Sequence, residues 1–216
     1  MAKVKQVGLM IIRVGSTVWD ADSRIGGATD LPLSEEGVGT CKEAAASTSG
    51  TASVLFCGPD EASRQTAEMF SATCGGKVRV CDTLAEMRLG LWEGMRESEF
   101  EEKFPSASRQ WREQPEGVVA PEGEALLDAE SRILKALVRK IDRLKPDTER
   151  FALVLRPIAF GIVRAAIEDR PIGDLWEMIR ARPAVDLIDL DASKLEVLRA
   201  RASGNELPNK VVGGLA

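Results

Sequence analysis

The sequence predicts a three-layer α/β/α sandwich on a mixed sheet, mostly parallel with one antiparallel strand. Three observations predict it. Apolar runs of strand length alternate with stretches of helical spacing through most of the chain. The first run, Val7–Ile12, is continuously apolar, as a strand buried on both faces requires. The last two, Val185–Leu190 and Leu195–Arg201, follow one another across Asp191, Ala192 and Ser193, which reads as a closing hairpin.

The elements between them follow in order. Arg13 to Pro32 is polar and glycine-bearing, and reads as a long loop. Ser34 is placed to cap a helix reaching about Ala46, with Glu35 and Glu36 in its first turn, where the helix dipole favours anions. Ser53–Cys57 is a second apolar strand that Gly58-Pro59 breaks. A helix then runs from about Asp60 to Ala72, Gly75-Gly76 turns the chain, and Val78–Cys81 makes a short strand. Residues 84–121 read as irregular, with short helices around Glu97–Lys103 and Ser108–Trp111. Helical apolar spacing returns between Glu122 and Leu144, and Pro146 ends it. Phe151–Leu155 is the fourth strand, and Pro157 opens a helix over Ile158–Ile167 that Pro171 closes. Residues 1–204 are expected to form one domain, with 205–216 a loose tail.

The chain of 216 residues is long enough to bury a full core without disulfide staples. Cys41, Cys57, Cys74 and Cys81 lack metal-site or redox spacing, so they read as free thiols of a reducing cytoplasm. No metal and no cofactor is expected. The Val7–Ile12 run is too short for a signal peptide or a membrane span. A net charge of −5 argues against nucleic acid and anionic membrane as partners. Four tryptophans are present, but histidine and tyrosine are absent. The missing histidine removes the one side chain that titrates near neutral pH without being perturbed.

Motifs then accumulate in order. Arg13-Val14-Gly15-Ser16-Thr17-Val18-Trp19-Asp20 follows the first strand, and Arg24 and Gly27 come next. Asp30, Pro32, Leu33, Ser34 and Gly37 form a spaced set, as do Cys57-Gly58-Pro59 and Gln65-Thr66-Ala67. Leu84, Glu86, Gly90, Trp92, Glu93 and Gly94 form another, and Trp111, Pro121, Gly123, Glu124 and Arg132 complete the series. Each fragment alone says little. Their recurrence in order over roughly residues 6–201 resembles the histidine phosphatase superfamily of phosphoglycerate mutase type.

That resemblance implies five contributors to phosphoryl transfer. They are a nucleophilic histidine after the first strand, an arginine just before it, and a second clamp arginine on the second long helix. A histidine after the fourth strand and an acid in the Leu-x-Glu element complete the set. Arg13 stands at the first arginine and Glu86 at the acid, but Val14 stands at the nucleophile. Ala62 stands at the second clamp and Arg156 at the second histidine. The chain therefore departs from the family pattern at three of the five positions. Arg64, two residues beyond Ala62, is turned about 200° round the helix and cannot stand in. Cys57 lacks a base to activate it and reads as a structural thiol.

The expected function is that of a catalytically inactive member acting by binding, as a protein-interaction or regulatory module. Two alternatives stay open. One is a weak site for a phosphorylated or other small anion, built from Arg13, Ser16, Arg24, Glu86 and Arg156. The other is an enzyme with new chemistry that uses Glu86. A protein partner or a small anionic ligand is expected, and homo-oligomerisation stays open. Arg13, Ala62, Glu86 and Arg156 are expected to converge at the carboxyl ends of the central strands.

Overall fold

A computed structural model describes residues 7–145, 148–180 and 184–204. The predicted tail at 205–216 and Pro146 lie outside the described residues. In chain order the elements are β1 (Val7–Arg13), α1 (Val18–Ala21), α2 (Glu35–Ser47), β2 (Val54–Cys57), α3 (Glu61–Cys74) and β3 (Lys77–Val80). Then come α4 (Glu97–Lys103), α5 (Pro105–Glu113), α6 (Leu126–Asp142), β4 (Arg150–Leu155) and α7 (Pro157–Ile167). The chain closes with α8 (Leu175–Arg180), β5 (Val185–Leu190) and α9 (Ala192–Ala202).

The sheet order is β3-β2-β4-β1-β5. β1, β2, β3 and β4 run parallel, and β5 pairs antiparallel with β1. The central strands β1 and β4 are buried on both faces, which explains their unbroken apolar runs. Alternate side chains divide between two cores. Met10, Ile12, Leu55 and Cys57 pack with Ala45, Ala67 and Phe70 of α2 and α3. Leu9, Ile11, Phe56 and Phe151 pack with Leu134, Phe160 and Leu198 of α6, α7 and α9. Those are the three layers. Beyond them Trp92, Phe100, Trp111 and Trp176 stack edge to face or tilted, and Trp176 Nε1 donates to the Trp111 carbonyl at 2.7 Å.

One predicted element is different. Leu195–Arg201 is not a strand but the body of α9. Asp191, expected in a hairpin turn, caps that helix: its Oδ1 accepts from the Lys194 amide at 2.9 Å. Leu195, Leu198 and Ala202 are buried at helical spacing, so core packing on α6 overrides the short strand-like pattern. Two short helices also appear where none is expected. α1 lies within the long polar loop, and α8 follows Pro171.

Candidate functional site

The site forms where β1 and β4 end. Arg13 is the last residue of β1, and Arg156 is the N-cap of α7, immediately after β4. Both line a cavity of about 380 Å³ with Val14, Ser16, Asp20, Cys41 and Phe70 among its other walls. Gly15 is held there by close approach, because a Cβ would meet the Cys41 sulfur at 2.5 Å. Val14 is buried, and its amide donates to the Leu155 carbonyl at 2.9 Å. Ser16 Oγ lies 3.3 Å from Ser34 Oγ, which ties the cavity rim to the start of α2. Arg13 Nη1 donates to the Ile179 carbonyl at 3.0 Å, so α8 holds one end of that guanidinium.

Arg156 is the unusual cation. Its side chain is only 7% exposed, and its Nε and Nη1 are buried with no hydrogen-bond partner. The nearest acid is Asp60, whose Oδ1 lies 3.8 Å from Nη1. Asp60 is itself the N-cap of α3, accepting from the Ser63 amide at 3.0 Å and from Ser63 Oγ at 2.6 Å. Ala62 follows it in the first turn of α3, fully buried, with a methyl where the family resemblance puts a clamp arginine.

Glu86 is buried and fully engaged by backbone. Oε1 accepts from the amides of Met87 at 2.8 Å and Ala159 at 2.9 Å, and Oε2 accepts from Ile158 at 2.8 Å. Two of these three donors are the free N–H groups that open α7. The positive end of that helix is therefore already occupied by a carboxyl group of the chain itself. Burial pushes the Glu86 carboxyl above its ordinary range, and the charge of Arg156 and the three amides pull it back without cancelling the rise. Glu86 and Asp60 line a separate small cavity of about 120 Å³, not the one that Arg13 and Arg156 line.

Of the residues singled out in the sequence, Arg13, Val14, Ser16 and Arg156 share one cavity. Glu86 lines the neighbouring small cavity with Asp60, and Ala62 lines neither cavity but is buried in the core that α2 and α3 form with the sheet. Arg24 does not belong to this cavity's lining. Its Nη1 donates to the Gly94 carbonyl at 2.8 Å and its Nε pairs with Asp22, which fastens the polar loop to the segment after Trp92. Cys57 is fully buried, and burial, with Asp60 nearby, pushes its thiol up to about 12. Glu93 is structural as well, accepting from the amides of Ala28, Thr29 and Leu89. The Asp60 contact with Arg156 is absent from the sequence reading, which sees Asp60 only as the start of a helix. No group of acidic or thiol side chains among the described residues is arranged to hold a metal.

Comparison with known proteins agrees with this architecture. Residues 9–202 match the histidine phosphatase superfamily (branch 1), and the chain belongs to that family. A probable phosphoglycerate mutase GpmB of Escherichia fergusonii is 26% identical over 162 residues, covering 74% of each chain. Phosphoserine phosphatase 1 of Hydrogenobacter thermophilus is 30% identical over 128 residues, covering 59% of this chain and 61% of that one. Among solved structures, the alpha-ribazole phosphatase from Shigella flexneri superposes with a TM-score of 0.74 at 20% identity, over 94% of this chain and 100% of the other. That last likeness is one of fold.

Proposed function

We propose that this protein is a catalytically inactive member of its superfamily that works by binding, as a protein-interaction or regulatory module. Val14 is the observation that supports this most directly. A valine has no lone pair to attack phosphorus, and the chain has no histidine to take its place. The surroundings support the same reading. Ala62 offers no cation, and the Glu86 carboxylate is committed to three amides and buried away from the Arg13–Arg156 cavity. The Cys57 thiol, pushed up to about 12, offers no thiolate. The phosphatase and mutase activities in the relatives' names stay with the relatives.

Arg156 favours a second reading, that the cavity takes a small anion weakly. A buried guanidinium with unpartnered nitrogens beside Arg13 suits an oxyanion. Asp60 at 3.8 Å weakens the field such an anion would meet, and Glu86 already takes the α7 amides that could bind it. Affinity for free phosphate near millimolar follows, rather than micromolar, a difference of about 4 kcal/mol. No helix among the described residues is long and apolar enough to cross a membrane, and the four cysteines are free and buried. Free buried thiols suit a reducing compartment, and we place the protein in the cytoplasm. The test of the first reading is phosphate release from p-nitrophenyl phosphate, expected at the rate of buffer alone.

A further inference from the structure

The net charge of −5 conceals a locally basic face. Along α6, Arg132, Lys135, Arg139 and Arg143 recur at helical spacing, with Lys140 beside them. They border a groove of about 330 Å³. Arg132 pairs with Glu124 at 2.8 Å. Among the described residues no acidic side chain forms an ion pair with Lys135, Arg139, Lys140 or Arg143. Asp128, one turn before Arg132, and Asp82, next to the groove residue Thr83, are the acids at its upper end.

The sheet supplies more positive charge on the same side. Register pairs Arg79 with Phe56 and Lys77 with Val54, and residues so paired share a face. Phe56 faces α6, with Lys140 Nζ 5.0 Å above its ring. Lys77 and Arg79 therefore stand on the α6 side, and both are exposed. β3 is also the edge of the sheet. The amides of Lys77 and Cys81 bond inward to the carbonyls of Ser53 and Cys57. Strand alternation turns the amides of Val78 and Val80 outward. One or two edge lysines are enough to guard a strand against stray pairing. Four cations of α6, with Arg143 at its C-cap, beside two of β3 exceed that need.

We propose that this groove docks a short, extended, acidic protein segment, which pairs with the outer edge of β3 and turns its acidic side chains toward α6. The proposal rests on the reading that the protein acts by binding, and names a partner class for it. Strand addition supplies backbone hydrogen bonds, and the cations select alternate acidic side chains. The dimensions favour a peptide over a nucleic acid. From Arg132 to Arg143 the helix rises about 17 Å, which an extended chain covers in about five residues. A longer polyanion would run onto the acidic remainder of the surface. None of the described residues lining the groove is aromatic, and Phe56 beneath Lys140 is 7% exposed, so bases have no face to stack on.

The test is fluorescence anisotropy with a fluorescein-labelled peptide of alternating Glu and Val at low salt. Saturable binding is expected, roughly tenfold or more weaker in the Lys135→Gln, Arg139→Gln, Arg143→Gln triple variant and weakened by added salt. Val80→Pro removes an outward amide while sparing the inward ladder, and is expected to weaken binding as much. If Val80→Pro melts below the wild type, Arg79→Glu takes its place in the comparison. The proposal is overturned by absent saturation, by variants that bind as the wild type does, or by tighter binding of an oligouridine of matching length. It is equally overturned if the triple variant converts a dimer to a monomer without changing peptide affinity, because the occupant is then a second copy. None of the varied residues lines the Arg13–Arg156 cavity, so phosphate release from the same protein judges the inactive-enzyme reading separately.

Discussion

Arg156 Nη1 lies 3.8 Å from Asp60 Oδ1, and both side chains are more than nine-tenths buried. Each depends on the other more than on solvent. Asp60→Ala leaves the guanidinium buried without its nearest acid and should cost about 3 kcal/mol or more. In an Arg156→Met background the same substitution should cost only its share as a helix cap, about 1 kcal/mol. Urea unfolding of the two single variants and the double variant measures the coupling. Additive losses would mean the two residues do not interact.

Glu86 should matter for stability through the amides it accepts. Glu86→Ala strips the acceptor from Met87, Ile158 and Ala159, a loss of about 3 kcal/mol. The pH dependence has a definite sign. Burial raises the folded pKa above the ordinary value of 4.5, so this group's contribution is fully present below that value and is lost as pH rises through the folded one. Relative to Glu86→Gln, which does not titrate there, the wild type should be most favoured below about pH 4.5 and lose ground as the pH rises above that value. Glu124 supplies the opposite sign. Burial raises its pKa, but hydrogen bonding and charge from Arg132 outweigh that and leave it lowered. Its contribution is present above its ordinary value and falls away as the pH drops through the folded one. Urea midpoints measured on both sides of pH 4.5 for both Gln variants decide the matter, and a common slope would contradict it.

The C-terminal helix is a test of the fold itself. Asp191→Ala removes a side-chain acceptor from the Lys194 amide and should cost about 1 kcal/mol. If residues 192–202 formed a strand instead, the substitution at the turn would change little, and amide hydrogen exchange there would follow a period of two.

What the sequence reveals and what it hides divide along physical lines. β1 and β4 are legible because a strand buried on both faces must be apolar at every position. α2 and α3 are legible from Ser34 and Asp60, caps whose side chains bond to the third amide on. α9 is misread because Leu195-Glu196-Val197 alternates apolar and polar as in a strand, while the burial of Leu195, Leu198 and Ala202 is settled only by packing on α6. The departures from the family at Val14, Ala62 and Arg156 are plain in one dimension. That Arg156 meets Asp60, and that Glu86 binds the start of α7, depends on loops brought together across the sheet, where no local pattern reports it. Arg24 illustrates the reverse: a motif residue whose place in the fold is structural, on the Gly94 carbonyl.

The cavity gives a graded expectation for anions. Phosphate or sulfate titrated against the wild type should show binding near millimolar, lost in Arg156→Ala and weakened in Arg13→Ala. Chemical-shift changes or calorimetry measure it. Absence of saturation at tens of millimolar would leave the cavity without an anion role.

The most direct test of the inactive reading is exposure of the purified protein to 2,3-bisphosphoglycerate, following phosphate release and intact mass together. The account predicts release at the rate of buffer and no gain of a phosphoryl group, because neither Val14 nor any histidine can accept one. Release above buffer that disappears in Glu86→Gln would contradict it.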